Sequence, residues 1–219
     1  MNTQDQISRI RVQYTKGHGL RFTGHLDLQR IWERLLRRSE LPLRYSQGYH
    51  PRARINLASA LPLGCISESE LLDFWMEKPL PPGEILSRLS SASIPDIEFQ
   101  SVRIVDLREK SLQSQLYASE FEVQFFDPQN LKILQDKISE SLAREAIIRT
   151  RRNKTYDLLP LILNLEIVSR HAGEIGLKMR LKAEQGATGR PDEVLDELGY
   201  TNTEYLVKRT KLILSSDKQ

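Results

Sequence analysis

Hydrophobic and polar residues alternate from Arg9 to Tyr14, with the period that is typical of a half-buried β-strand. On this pattern every second side chain faces a core, and these are Ile10, Val12 and Tyr14. The side chains between them are expected to face out, and these are Arg9, Arg11 and Gln13.

A different period begins at Thr23 or Gly24 and continues to about Ser39. Apolar residues then recur at the spacing of one helical face, which predicts an amphipathic α-helix. The residues of this buried stripe are Leu28, Ile31, Trp32 and Leu35.

The rest of the first half predicts short strands around one helix. The segment LPLRYS can form a strand, and LPLGCISESE is expected to connect two strands as a hairpin. The other predicted strands cover residues 55–60, 71–76 and 97–105, and the helix covers residues 84–91.

The second half repeats this order of elements. Leu161–Ser169 and Ile175–Ala183 are predicted to pair as a hairpin, and RRNK is expected to form a basic turn. The other predicted strands cover residues 120–126, 146–151 and 205–214, and one helix covers residues 191–198. Another helix is predicted from Leu131, Ile133, Leu134, Ile138 and Leu142, with Pro128 in its first turn.

The repeated order predicts an α+β protein made of two tandem ferredoxin-like (βαββαβ) halves. In each half an antiparallel sheet would carry its helices on one face. A polar stretch separates the halves, so the expected domains are residues 1–106 and 117–219, with a linker at 107–116.

Basic residues are concentrated in one part of the chain. Between Arg9 and Arg54 there are eleven Lys or Arg residues and three acidic ones, although the net charge of all 219 residues is only +3. Such clustering is typical of a surface that binds a polyanion. The alternative is a solvated, charge-rich helix.

The predicted helix carries a second stripe of arginines at positions i, i+4, i+7 and i+8. Guanidinium groups in a row can each hold a phosphate bidentately. The stripe consists of Arg30, Arg34, Arg37 and Arg38.

Aromatic and basic residues interleave after the helix, around Gly48. This mixture suits single-stranded nucleic acid, in which rings stack on bases and guanidinium groups hold phosphates. An ordinary exposed turn with two half-buried tyrosines is the alternative. The candidate residues are Arg44, Tyr45, Gln47, Tyr49, His50, Arg52 and Arg54.

A second basic cluster in the C-terminal half could extend the same interface or be a solvated turn. Its members are Arg149, Arg151, Arg152 and Lys154.

Several function classes are excluded or find no support. With Cys65 as the only cysteine, an intrachain disulfide and a cysteine-ligated zinc or iron–sulfur site are impossible. Cys65 is expected to be a packed small residue. The four histidines are scattered, so no metal site is predicted, and no cofactor is expected because phosphate-binding and dinucleotide-binding loops are absent. There is no secretory signal and no apolar run of membrane-spanning length, so we expect a soluble cytoplasmic protein that does not enter a membrane.

From Leu20 to Asp73, the motifs HLDL, LPL, YSQGYHP and LPLG surround the arginine-rich helix. This segment resembles the bacterial DUF2344 family, also called radical SAM-linked proteins. The resemblance implies a radical S-adenosylmethionine protein as a partner and carries over no catalytic residues. With one cysteine, this chain cannot itself hold the CxxxCxxC cluster of such enzymes. The layout is also similar, at the level of the fold, to the RAMP superfamily of RNA-binding proteins.

These observations favour a non-catalytic, accessory RNA-binding protein that presents tRNA or rRNA to a radical S-adenosylmethionine enzyme. A metal-independent endoribonuclease is the first alternative, with His25 or His50 as the acid–base group. The second alternative is a protein-interaction subunit whose arginines dock on an acidic partner.

Overall fold

The computed structural model describes residues 7–151, 153–170, 173–201 and 204–217. The chain forms two compact units, Met1–Gln115 and Leu116–Gln219. Both units combine antiparallel strands with a few helices, which confirms the predicted α+β class.

Among its described residues, the first unit contains four strands and three α-helices. The strands are β1 (Ser8–Lys16), β2 (Ile55–Leu57), β3 (Ile66–Met76) and β4 (Phe99–Val105). The helices are α1 (His25–Arg38), α2 (Pro82–Ser91) and the short α3 (Leu112–Gln115). All pairings are antiparallel, and the strand order is β2–β3–β1–β4.

Both α1 and α2 pack on the same face of this sheet. Trp32 of α1 lies edge-to-face against Tyr14 of β1, with ring centroids 4.7 Å apart. Ile85 and Leu89 of α2 belong to the same buried cluster. The predicted stripe on α1 is confirmed for Leu28, Trp32 and Leu35, whereas Ile31 is only half-buried and Leu36 is fully buried.

On the opposite face of the first sheet, two arginines that were expected to face solvent are buried. Arg9 and Arg11 of β1 point away from the helices, as the alternation requires, but they are only 3% and 2% exposed. Both donate hydrogen bonds to Asp73 of β3, which is itself fully buried. The prediction that these arginines face solvent is therefore wrong, because a carboxylate more than 60 positions away lies opposite them.

The boundaries of two elements in the first unit also differ from the prediction. Strand β3 begins at Ile66, so half of the expected hairpin connection is strand. LPLRYS forms only two isolated bridges, Leu43 to Met76 and Tyr45 to Ala53. The polar stretch predicted to be a linker contains α3, and its Glu109 and Lys110 carbonyls accept hydrogen bonds from Arg9.

The second unit contains seven strands and two helices among its described residues. The strands are β5 (Leu116–Phe125), β6 (Ile148–Arg151), β7 (Lys154–Asp157), β8 (Ile162–Ser169), β9 (Ile175–Glu184), β10 (Ala187–Thr188) and β11 (Tyr205–Leu214). The helices are α4 (Leu131–Leu142) and α5 (Pro191–Glu197).

The main strands of the second unit follow the order β8–β9–β5–β11, and all pairings are antiparallel. The predicted hairpin of β8 and β9 is confirmed. The predicted basic turn RRNK is too long, because Lys154 already belongs to β7. Strand β7 pairs with β6 to form a separate hairpin.

Candidate nucleic-acid interface

Helix α1 turns a basic face away from the core. Leu28, Trp32 and Leu35 hold its other side against the sheet. Arg30, Arg34 and Arg37 are exposed, in agreement with their predicted position outside the buried stripe. Only Arg30 has an ion pair among the described contacts of these three, at 3.0 Å from the exposed Asp27 one turn earlier. Such an exposed pair is weak and can give way to a phosphate.

Arg38, the fourth member of the predicted stripe, has a different environment. Its guanidinium donates a 2.6 Å hydrogen bond to the carbonyl of Ala92, the residue that ends α2. This bond satisfies a carbonyl that the helix itself leaves without a partner. Arg38 therefore connects the ends of the two helices, and its charge is less available to a ligand than those of Arg34 and Arg37.

Residues Tyr45–Arg52, called the aromatic loop below, are all exposed. Its ends are closed by two hydrogen bonds: the Ser46 amide donates to the Arg52 carbonyl at 2.8 Å, and the Arg52 amide donates to Ser46 Oγ at 3.1 Å. Gly48 has φ +139°, a conformation that side chains rarely adopt. The aromatic loop is thus a closed turn that holds its side chains outside the fold.

Tyr49 lies at the tip of the aromatic loop and is 98% exposed. Its ring makes an edge-to-face contact with His50, with centroids 5.8 Å apart. Tyr45 is also exposed, so the alternative of two half-buried tyrosines is wrong. Gln47 and Arg52 are exposed beside these rings.

Arg44 and Arg54 form the base of the aromatic loop, where the Arg54 amide donates to the Arg44 carbonyl at 2.8 Å. The Arg54 guanidinium lies over the Trp75 ring, 4.3 Å from its centroid. Trp75 is the register partner of Arg9, which faces away from the helices. The Arg54 side chain therefore lies on the helix-free face, so the predicted basic residues are divided between two faces of the unit.

The second predicted basic cluster forms a hairpin that is bound to α5. Arg149 donates to Glu197 at 2.6 Å and to Asp196 at 3.2 Å. Arg151 lies 3.9 Å from Glu193. Lys154 is exposed, and Arg152 lies outside the described residues. Much of the positive charge of this cluster is thus neutralised within its own unit.

The same hairpin contributes Tyr156, whose hydroxyl donates a short hydrogen bond to Glu193. Burial, and then this hydrogen bond and the nearby negative charge of Glu193, raise the pKa of Tyr156 to about 12. Burial, the hydrogen bond and the charge of Glu193 all favour the neutral phenol, so Tyr156 is a hydrogen-bond donor and not an activated base.

The candidate catalytic histidines differ in their surroundings. His50 is exposed beside Tyr49, whereas His25 begins α1 and has a buried Nδ1 without a hydrogen-bond partner. No three His, Cys, Asp or Glu side chains of the described ranges are grouped as ligands of a metal ion. Cys65 is buried, which confirms the prediction of a packed residue. None of the described helices is long and apolar enough to span a membrane.

One exposed apolar patch was not predicted from the sequence. Phe22, Leu26 and Leu63 are 68%, 69% and 64% exposed. Phe22 and Leu63 are brought together because the Gly64 amide donates to the Arg21 carbonyl. Nothing in the local pattern distinguishes these residues from core residues. The one available signal was that Leu26 lies within the motif HLDL and Leu63 within LPLG, whereas Phe22 lies outside both motifs.

The chain belongs to the DUF2344 family. The model of this family, described as an uncharacterized protein conserved in bacteria, matches residues 9–191. The matched range includes α1, the aromatic loop and the β6–β7 hairpin, and it ends at the first residue of α5. No curated protein matches the chain significantly.

Proposed function

We propose that this protein is an accessory RNA-binding protein. The observation that carries the proposal is the exposed row of Arg30, Arg34 and Arg37 on a helix whose other face is fully packed. Arg34 and Arg37 have no ion pair among the described contacts, and the pair of Arg30 with Asp27 is exposed, so all three guanidinium groups can release counterions when they meet phosphates. The aromatic loop supports the same ligand, because exposed rings beside guanidinium groups suit unpaired bases.

We also propose that each unit is a ferredoxin-like domain. In the first unit, the strand that precedes α1 is central and the strand that follows α2 is at one end of the sheet. The second unit has the equivalent order around α4 and α5, with the β6–β7 hairpin as an insertion. This order is the one expected for two βαββαβ domains, and the boundary near Gln115 divides them.

The partner enzyme in this proposal is a radical S-adenosylmethionine protein, to which the chain would present tRNA or rRNA in the cytoplasm. The resemblance of Leu20–Asp73 to radical SAM-linked proteins motivates this choice. A chain with one cysteine needs such a partner for any cluster-dependent chemistry.

A binding experiment tests the RNA proposal. The affinity of the full chain for a labelled tRNA transcript and a labelled oligouridylate would be measured by fluorescence anisotropy over a range of salt concentrations. Arg34→Gln with Arg37→Gln should weaken binding and reduce the log–log salt slope by about 0.7 per lost contact on the single strand. Arg108→Gln with Lys132→Gln removes two exposed charges elsewhere and is the matched control.

Equal effects of the two double variants would remove α1 from the interface, and no binding by the wild type would refute the RNA proposal. Cleavage of the probe, lost in His25→Ala or His50→Ala, would instead establish the endoribonuclease alternative.

A second candidate function, docking on a partner protein, is favoured by the exposed Phe22 and Leu63, which the hydrogen bond from Gly64 to Arg21 brings together. Large apolar side chains exposed together on a folded surface are typical of interaction sites. Phe22→Ser with Leu63→Ser should abolish binding to the partner enzyme in an analytical gel-filtration experiment while RNA binding is retained. If the variant still co-elutes with the enzyme, the patch is not the docking surface.

A further inference from the structure

The two basic groups of the first unit face in opposite directions. Arg34 and Arg37 lie on the outer side of α1, which covers the Ile10 and Phe74 face of the sheet. Arg54 stacks on Trp75 on the other face. An RNA that contacts both groups must therefore pass around the border of this sheet.

The open part of the border between the two groups is the aromatic loop, because Gln113 of α3 is hydrogen-bonded to Asn56 and Leu57 of β2. Strand β2 is the end of the strand order in this unit. The aromatic loop leads into it from α1. Only five residues lie between Arg38 and Arg44, so these Cα atoms are at most about 21 Å apart. The exposed tip with Tyr49 belongs to the short chain segment that connects one basic group to the other.

We propose that the bound RNA is single-stranded and turns around this border, with an unpaired base stacked on Tyr49. This inference rests on the proposed RNA-binding function and specifies the class of RNA. In the bound state, phosphates on one side of the turn meet Arg34 and Arg37, and those on the other side meet Arg54.

A duplex does not fit this path. Its bases are paired and stacked inside, so the Tyr49 ring would have no base face to contact. A double helix is also too stiff to follow both faces of a small domain within a few nucleotides, whereas a single strand bends freely and exposes the faces of its bases.

The test compares a labelled oligouridylate with the same oligomer annealed to oligoadenylate, using the full-length chain. The single strand should bind more tightly. Tyr49→Ala should weaken its binding roughly 5- to 150-fold, the range for loss of one base–aromatic stack. Tyr49→Phe keeps the ring and should bind like the wild type. Neither change should alter the affinity for the duplex.

A second readout follows the other side of the turn. Trp75 is half-exposed under Arg54, while Trp32 is fully buried, so an RNA strand near Arg54 should quench the emission of Trp75 alone. Trp75→Phe should abolish the quenching, and Arg54→Gln should weaken the binding of the single strand.

The possible outcomes separate this inference from the function on which it rests. If the duplex binds as tightly as the single strand, or if Tyr49→Ala has no effect while Arg34→Gln with Arg37→Gln weakens binding, the path around the border is wrong and RNA binding stands. If neither RNA binds, the proposed function fails as well.

Discussion

Arg9 and Asp73 are joined across two neighbouring strands by a 2.7 Å hydrogen bond from Nε to the carboxylate, and both side chains are buried. Arg11 donates to the same carboxylate at 2.8 Å and 3.0 Å. Both buried guanidinium groups thus share the Asp73 carboxylate. The Glu109 and Lys110 carbonyls also accept hydrogen bonds from Arg9, and the Glu109 carboxylate lies 3.8 Å from Arg11.

Replacing this carboxylate should strongly destabilise the protein. Asp73→Asn removes the carboxylate that both buried guanidinium groups share and leaves only the exposed Glu109, 3.8 Å from Arg11, as a described counterion. We expect a loss of about 3–5 kcal/mol in the free energy of unfolding. Urea denaturation measures the change. Asp136→Asn, at an exposed position on α4, is the control and should change stability by less than about 0.5 kcal/mol. Similar losses in the two variants would contradict the role of Asp73.

Substitutions on the exposed side of α1 should affect RNA binding, and substitutions on its buried side should affect stability. Arg34→Gln with Arg37→Gln removes only exposed charges and should leave the melting temperature nearly unchanged. Trp32→Ala empties the centre of the core and should cost about 3–5 kcal/mol. A large stability loss in the arginine variant would show that these residues hold the fold together and would weaken the case for RNA.

Arg38 and Arg37 are neighbours with different predicted roles. Arg38→Gln loses the hydrogen bond to the Ala92 carbonyl and should cost roughly 1 kcal/mol, whereas Arg37→Gln should be neutral. Thermal unfolding of the two single variants provides the comparison. Equal stabilities would mean that the bond between the ends of α1 and α2 contributes nothing measurable.

The turn of Gly17, His18 and Gly19 is closely packed against Asp96. A Cβ added at either glycine would overlap the Asp96 carboxylate, so Gly19→Ala should destabilise by about 1–3 kcal/mol. Asp96 has φ +69°, which glycine adopts readily. Adding Asp96→Gly should therefore recover part of the loss, as judged by urea denaturation. A double variant less stable than Gly19→Ala alone would show that the overlap is not the cause.

Tyr156 should make stability depend on pH in the alkaline range. Its raised pKa means that the folded protein holds the phenolic proton more tightly than the unfolded chain does. The associated stability is fully present below pH 10 and is lost as the pH rises towards about 12. The pKa of Tyr200 is also raised by burial, so tyrosinate absorbance should show two late-titrating groups, of which Tyr156→Phe removes one. Tyr49→Phe is the control and should leave both late groups in place.

Elements governed by local periodicity could be predicted from the sequence. The bounds of β11 match the expectation, and α5 differs by one residue, because they have a clear apolar repeat or a proline at the start. Helix α4 contains the predicted apolar residues but begins at Leu131, after Pro128, which was expected in its first turn. The prediction made strand β3 too short, because most of the residues at its start are polar. Ser67, Ser69 and Glu70 are nevertheless buried, and the residues that surround them come from distant parts of the chain.

The sequence predicted which residues belong to the candidate interface but not on which faces of the unit they lie. The exposure of Arg34 and Arg37 follows from their position relative to the Leu28 and Trp32 stripe. The separation of Arg54 from α1 depends on the pairing of β2 with β3, which no local pattern reveals. Trp75 was missed because its contact with Arg54 joins residues 21 positions apart on different strands.

The hydrogen bonds from Arg9 to the carbonyls of Glu109 and Lys110 bear on how the chain folds while it is being made. They connect positions 100 and 101 residues apart, so the first strand leaves the ribosome long before its last partners exist. A nascent chain that ends at Val105 has all four strands of the unit and still lacks these acceptors. The first unit should therefore reach its protease-resistant state only after Lys110 has emerged from the exit tunnel.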